Sequence, residues 1–181
     1  NGGGAANITT FDSAGFAITT TRGTDAVGGD VKVKTTGALT LGDVVSTGGT
    51  ATAAGQAAGV VDVNAGTTLT TANITAKGSD GATAGDNGGA GGAVTLTGAT
   101  KVVLGGNIDT SAGANGTPGT GGTVTVASAL ELNGNRTITT GVTGGNIIFN
   151  GTLDGDAGQA FNRTLGLTAG TGNIDFNQAV G

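Results

Sequence analysis

The chain has 181 residues, of which 40 are glycine and only 10% are charged, and its formal net charge is −5 at neutral pH. An acidic and charge-poor surface disfavours binding to nucleic acids or anionic membranes, because both need a basic patch. The absence of cysteine excludes disulfides and thiolate metal sites. The absence of histidine removes the side chain that most often acts as acid or base near neutral pH.

A glycine pair followed by alternating apolar and polar residues recurs along the chain. The first apolar positions of the successive copies are Val31, Val61, Val94, Val124, Ile147 and Ile174. Alternation with a period of two residues is typical of a β-strand with one buried face. The copies lie between 23 and 33 residues apart, and a repeat of roughly 20 to 50 residues indicates a stacked architecture.

Two further apolar positions follow each copy at a nearly constant distance. A step of eight residues leads to Leu39, Leu69, Val102 and Leu132, and a step of 13 or 14 leads to Val44 or Val45, Ile74, Ile108 and Ile138. Residues 1–30 form a weakly patterned first coil, in which the eight-residue step joins Ile8 to Phe16. We therefore expect three short strands per repeat and three inward columns of stacked residues. The residues expected to point outward from the first column are Lys32, Asp62, Thr95, Thr125 and Asp175.

Nearly all of the variation in repeat length follows the third strand. The variable segments are 46–59, 78–92, 111–122 and the short version 141–145, whereas the fifth coil has an earlier insertion at 155–164. Insertions restricted to one position of a repeat map to loops on one edge of the stack. We expect these loops to supply the contact surface of the molecule.

Several runs of the sequence resemble a known repeat class. Residues 143–154 (TGGNIIFNGTLD), 165–176 (LGLTAGTGNIDF) and 106–113 (GNIDTSAG) look like filamentous-haemagglutinin-type repeats of large bacterial surface and secreted adhesins. The resemblance covers most of residues 28–181, although the Asn-Pro motifs of that family's secretion domain are not seen. It implies a right-handed parallel β-helix in an exported stalk or fibre.

The sequence thus predicts an all-β chain, a right-handed parallel β-solenoid of about six coils with three short strands each. Residues 1–181 are expected to form one repeat domain and, since the chain starts without Met and stops within a repeat, a segment of a longer fibrous chain. The predicted function is a structural or adhesive segment of an extracellular bacterial fibre or surface adhesin, and not an enzyme. The expected partners are neighbouring coils of identical chains, in head-to-tail filaments, and host or cell-surface glycans or proteins. Nucleic acid binding and membrane insertion are not expected.

Acidic residues offer the candidate chemistry, although no catalytic, cofactor-binding or metal residue is assigned. Asp154 and Asp156 are near neighbours, and a carbohydrate-active β-helix would need such a carboxylate pair. Asp80 and Asp86 lie in the longest loop and could supply oxygen ligands to calcium. Asp is also a default turn residue, which is the plainer interpretation of all four. A scattered arrangement of Asp154, Asp156, Asp62 and Asp175 would argue against the carbohydrate-active alternative.

Threonine pairs around an inward aliphatic residue raise a second alternative, an ice-binding solenoid. The pattern occurs at 68–70, 95–97, 123–125 and 137–139. An ice-binding face needs a regular threonine ladder, and charges interrupt the equivalent positions at Asp30, Lys32 and Asp62. Threonine is also a common residue of exposed strands. Six Asn-x-Ser/Thr acceptor sequences occur at Asn7, Asn73, Asn115, Asn135, Asn150 and Asn162.

Overall fold

The computed structural model describes residues 16–156 and 162–181, and the regular secondary structure within these ranges consists of β-strands. The strands are β1 (Phe16–Thr19), β2 (Val31–Lys34), β3 (Leu39–Val45), β4 (Val61–Ala65), β5 (Thr68–Thr71), β6 (Ile74–Thr75), β7 (Val94–Gly98), β8 (Lys101–Leu104), β9 (Ile108–Asp109), β10 (Val124–Val126), β11 (Leu130–Leu132), β12 (Arg136–Thr139), β13 (Ile147–Phe149), β14 (Leu153–Gly155), β15 (Leu165–Thr168) and β16 (Ile174–Phe176).

Each strand pairs in parallel with the equivalent strand of the next repeat. The first strands form a six-stranded sheet in the order β16-β13-β10-β7-β4-β2. The second and third strands form a ten-stranded sheet in the order β14-β11-β8-β5-β3-β6-β9-β12-β15, with β1 beside β3. Strand β3 runs through a corner, so that its start pairs with β5 and its end with β6. The chain is therefore a parallel β-solenoid of about five turns, which confirms the predicted fold class.

The first inward column is as predicted. Val31, Val61, Val94, Val124, Ile147 and Ile174 are consecutive partners in one register. The four middle members are fully buried, while Ile174 on the last strand is 40% exposed. The interior is aliphatic because a three-sided coil leaves little room between its faces.

The third column is also confirmed, and the structure selects Val44 over Val45. Val44 pairs with Ile74 and is fully buried. The column continues through Ile108 and Ile138 and is extended by Ile18 at one end and Leu167 at the other.

The prediction of the second column is wrong at its fourth member. Val102 pairs with Leu130 and not with Leu132, which instead pairs with Leu104. The turn before this strand is two residues shorter than in the preceding repeat, and a shift of two residues preserves the alternation of faces. Leu132 is consequently still buried. The first coil also departs from the predicted second column, since Phe16 pairs with Leu41.

Candidate functional site

Three loops leave the solenoid after the third strand and stack upon one another. They comprise residues 46–59, 76–92 and 110–122, and we call them the fin. Along the outgoing arms Gly48 N donates to Lys77 O at 3.1 Å and Gly78 N donates to Ser111 O at 3.0 Å. Along the returning arms Gly88 N donates to Thr117 O at 3.0 Å. The backbone ladder of the solenoid therefore continues outside its core, in segments that are not strands.

The outgoing and returning arms of the fin are also bonded to each other. Ser79 N donates to Gln56 O at 2.9 Å, Gly89 N donates to Ser79 O at 2.9 Å, and Gly113 N donates to Gly89 O at 2.8 Å. A Cβ atom on Gly113 would lie 1.8 Å from Ser79 O, and one on Gly89 would lie 2.1 Å from Gln56 O. Only glycine permits this approach of backbone to backbone, which explains the glycine content of the loops.

Buried hydroxyl groups close the base of the loops. Thr110 Oγ1 donates to Gly122 O at 2.6 Å, and Thr140 Oγ1 donates to Gly145 O at 2.7 Å. Ser46 closes its loop with a bond of the opposite direction, since its Oγ accepts from Gly59 N at 3.0 Å and donates to Gly29 O at 2.8 Å. Ser46, Thr110 and Thr140 are all fully buried. The contact is the same at the long loop 110–122 and the short connection 141–145, so it fixes the loop base whatever the loop length.

This hydroxyl clasp is a feature that the sequence interpretation missed, although a signal exists. Each of the three residues stands two positions after a member of the third column, at Val44, Ile108 and Ile138. Two positions on a strand return the side chain to the same face, so a serine or threonine there points inward. An inward hydroxyl must find a partner, and the adjacent glycine carbonyl is one.

Side-chain oxygens at a second corner form an axial ladder. Asp43 Oδ1 accepts from Asn73 N at 3.1 Å, Asn73 Oδ1 accepts from Asn107 N at 2.9 Å, and Asn107 Oδ1 accepts from Thr137 N at 2.9 Å. Two of the asparagines in acceptor sequences, Asn73 and Asn135, accept a backbone N–H of the next coil in this way. Asn150 Oδ1 instead accepts from Asn177 Nδ2 at 2.8 Å, and Asn115 Nδ2 donates to Gly81 O at 2.7 Å. Asn162 is exposed, and Asn7, like Ile8, lies outside the described residues.

Of the two carboxylates considered for calcium, Asp80 links two loops of the fin and Asp86 caps a turn within one of them. Asp80 Oδ1 accepts from Ala114 N at 2.7 Å, while Asp86 Oδ2 accepts from Thr83 N at 3.0 Å and from Thr83 Oγ1 at 2.8 Å. Residues 16–156 and 162–181 contain no group of three or more acidic side chains placed to hold a metal ion. The interpretation as a turn residue fits Asp86, whereas Asp80 joins two loops of the fin.

The carboxylates considered for carbohydrate chemistry are only partly brought together. Asp154 and Asp156 both line a cavity of about 570 Å³ at the C-terminal end of the solenoid. Asp156 forms an ion pair with Arg163 at 2.8 Å. Asp62 and Asp175 lie instead on the outer side of the six-stranded sheet, in strands β4 and β16 that are four pairings apart, or about 19 Å at the usual strand spacing.

The remaining walls of this cavity are apolar. They include Leu132, Leu153, Leu165, Leu167, Phe176 and Val180. Phe176 and Val180 are 44% and 57% exposed, and the ring of Phe176 stacks on Phe149 with centroids 5.0 Å apart. The cavity is thus the open end of the hydrophobic core.

The threonines do not form a long ladder. Thr95 and Thr125 are neighbours in register, but Asp62 precedes them and Ile148 follows them. On the outer faces of the paired strands that the structure describes, no column holds more than two successive threonines. The flat threonine array that an ice-binding solenoid would use is therefore interrupted there.

Among the residues that the structure describes, Asp25 has a pKa that is clearly shifted by its surroundings. The hydroxyl of Thr52 first, and its backbone N–H second, donate to the carboxylate and lower the pKa of Asp25 below its usual value of 3.8. The contact ties the turn before β2 to the first loop of the fin.

None of the described residues belongs to a helix able to span a membrane. Comparison of the chain with protein-family models, with curated proteins and with solved structures gave no match.

Proposed function

We propose that this chain is a structural and adhesive segment of an extracellular bacterial fibre or giant surface adhesin, in which the solenoid acts as a stiff stalk. The unbroken pairing of six first strands, from β2 to β16, is the observation that carries the proposal. Hydrogen bonds run along the axis, and a continuous aliphatic core lies beside them. Bending the rod would lengthen the hydrogen bonds and separate the packed residues of the core, so the fold suits a load-bearing spacer.

The fin supports the adhesive part of the proposal. Its three tips, at 52–54, 82–85 and 114–118, are exposed, while its arms are held by backbone hydrogen bonds. Surfaces held in place by a rigid scaffold lose little conformational entropy on binding. The proposed partners are host or cell-surface glycans or proteins, and the filamentous-haemagglutinin-like identity is part of this same proposal.

Spin labels would test the stalk. The chain has no cysteine, so Gly37→Cys and Gln178→Cys, which stand near opposite ends of the described solenoid, give two unique attachment points. We expect a single narrow distance band of roughly 20–35 Å, since five strand pairings separate β2 from β16 at about 4.8 Å each. The same sample in urea supplies the flexible reference. A native distribution as broad as the unfolded one would reject a stiff stalk.

Binding of the purified chain to glycan arrays and to cultured cells would test adhesion. The variant Ala84→Arg/Thr117→Arg alters two exposed fin tips, and Ala99→Arg/Ala127→Arg adds the same charge at exposed turns away from the fin. We expect the first variant to lose binding and the second to keep it. Equal binding by both variants would remove the fin from the adhesive surface.

A further inference from the structure

The six-stranded sheet has one edge at β2 and the other at β16, and within the described residues each edge strand is paired on one side. The two edges carry the same alternation of inward and outward residues. We propose that β16 of one copy adds to β2 of a second copy, so that the chain assembles head to tail. The register is Ile174 to Val31, Asp175 to Lys32 and Phe176 to Val33. This proposal rests on the rod-like stalk proposed above.

The exposed apolar residues of β16 support this register, while Val31 and Val33 on the β2 edge are already buried. Val31 and Ile174 belong to the same column, in which every internal step pairs one branched aliphatic residue with the next. Ile174 and Phe176 are 40% and 44% exposed, whereas Ile147 and Phe149 one coil earlier are buried. An added β2 would cover the last pair as β16 covers the pair before it.

The charges of the two edges are complementary. The outward residues of β2 are Lys32 and Lys34, and the outward residue of β16 is Asp175. Inside the rod Lys32 already lies opposite Asp62 in register. The new step would place Asp175 opposite Lys32 of the second copy and repeat that pairing. Opposite charges directly across two strands favour pairing, and like charges oppose it.

The corner before the first strand provides a third match. Asn146 Oδ1 accepts from Asn173 N at 2.9 Å, and Asp30 Oδ1 accepts from Val60 N at 2.9 Å. Each bond links a side-chain oxygen to the backbone one coil further along. The added copy would bring the N–H of its Asp30 over the amide oxygen of Asn173, which continues the same device across the junction.

A second copy is the occupant that these observations favour, because it brings lysines, aliphatic residues and the corner N–H in one register. Strand addition of this kind uses main-chain hydrogen bonds for affinity and side-chain pairs for specificity. The contact joins two different surfaces and does not close on itself, so repeated addition gives an open filament.

The test uses the 181-residue chain in light scattering after size exclusion and in electron microscopy, over a range of protein concentrations. We expect oligomers that grow with concentration and particles that lengthen along one axis. Asp175→Lys alone and Lys32→Asp alone should each weaken association about tenfold, because attraction becomes repulsion at the junction. The double variant Lys32→Asp/Asp175→Lys should restore it, and Ala127→Lys, which adds charge at an exposed mid-rod turn, should leave it unchanged.

Circular dichroism of every variant separates loss of association from loss of fold. A wild-type chain that stays monomeric at millimolar concentration overturns the head-to-tail contact, while a narrow spin-label distance in the same sample would leave the stalk proposal standing. The proposed register is wrong if the single charge reversals leave association unchanged. It is also wrong if the double variant does not restore association. Either result assigns the contact to another surface. Particles that thicken instead of lengthening would do the same.

Discussion

The side-chain oxygen of Asn73 accepts the backbone N–H of Asn107, which lies 2.9 Å away and one coil further along the solenoid. At this corner the chain turns, and the N–H group is no longer aimed at a carbonyl of the neighbouring strand. An amide side chain one coil below replaces that acceptor, and the N–H of Asn73 is in turn bonded to Asp43. A polar corner can thus be stacked without leaving backbone donors unpaired.

The first prediction removes one rung of this ladder. Asn73→Ala should lower the free energy of unfolding by about 0.5–1.5 kcal/mol, because Asn107 N–H loses its protein acceptor and the site is exposed enough for water to replace it in part. Urea denaturation followed by circular dichroism measures the change. Gln178→Ala, at an exposed position outside the ladder, is the control and should be nearly neutral. Equal effects of the two substitutions would contradict a stabilising ladder.

The second prediction compares two buried threonines with opposite expected signs. Thr110→Val deletes the hydroxyl that donates to Gly122 O at 2.6 Å and should destabilise the chain by about 1–3 kcal/mol, since that carbonyl loses its donor. Thr71 is also buried, but its Oγ1 has no hydrogen-bond partner. Thr71→Val should therefore be neutral or stabilise by about 1 kcal/mol.

Thermal unfolding of the two variants side by side makes that comparison. The substitutions exchange the same atoms, so the difference between them isolates the hydrogen bond from the change in volume. Destabilisation by Thr71→Val as large as that by Thr110→Val would show that packing, and not the clasp, dominates.

The third prediction concerns the close packing of the fin. Gly113→Ala would place Cβ 1.8 Å from Ser79 O, so the two arms must separate and lose backbone hydrogen bonds. We expect a loss of about 2 kcal/mol or more, together with faster amide exchange at Gly89 and Gly113. Gly37→Ala is the matched control, because its Cβ meets nothing within 4 Å. That substitution should be neutral or stabilise by about 0.4–1 kcal/mol. A silent Gly113→Ala would show that the arms are not in contact.

The fourth prediction follows from the lowered pKa of Asp25. A carboxyl group with a pKa below its unfolded value stabilises the fold when it is ionised. This contribution is fully present above the unfolded pKa, near 3.8, and is lost as the pH falls through the lower folded pKa. Wild type should lose stability relative to Asp25→Asn below about pH 4, and the difference should be constant from pH 5 to 7. Urea denaturation across this range measures it, and Thr52→Val should behave like Asp25→Asn. A difference that grew above pH 5 would contradict the assignment.

Inward columns were predictable where one strand position is apolar and its neighbours are polar, as at Val31 and Ile74. The register failed at Leu130 and Leu132 because both are apolar and both point inward. A turn two residues shorter leaves the alternation intact, so the pattern cannot distinguish the two leucines. The inward position of Thr110 made a buried hydroxyl predictable from the sequence. The acceptor of that hydroxyl was not predictable, because it is a backbone carbonyl and every residue has one.

The stacking of the fin was beyond pattern-based prediction for a related reason. Gly89 and Gly113 carry no side chain, so no alternation of polarity reports which face they turn to a neighbour. Their contacts depend on hydrogen bonds between backbone groups, and any residue type except proline supplies these. The sequence correctly predicted variable loops on one edge. The regular stacking of these loops follows from the spacing between coils, which the strands impose.

The regular spacing of the coils has a consequence for how the chain folds. The side-chain bonds that join Asp30 to Val60, Asp43 to Asn73 and Lys101 to Glu131 all connect residues 30 positions apart. A typical separation of that size in a chain of this length corresponds to a relative contact order of roughly 0.17, in the range of domains that fold in milliseconds to seconds. The first coil must close its loops without a template, whereas each later coil meets a finished edge. We therefore expect refolding to start with a slow nucleation phase and to advance from there one coil at a time, as in other repeat chains.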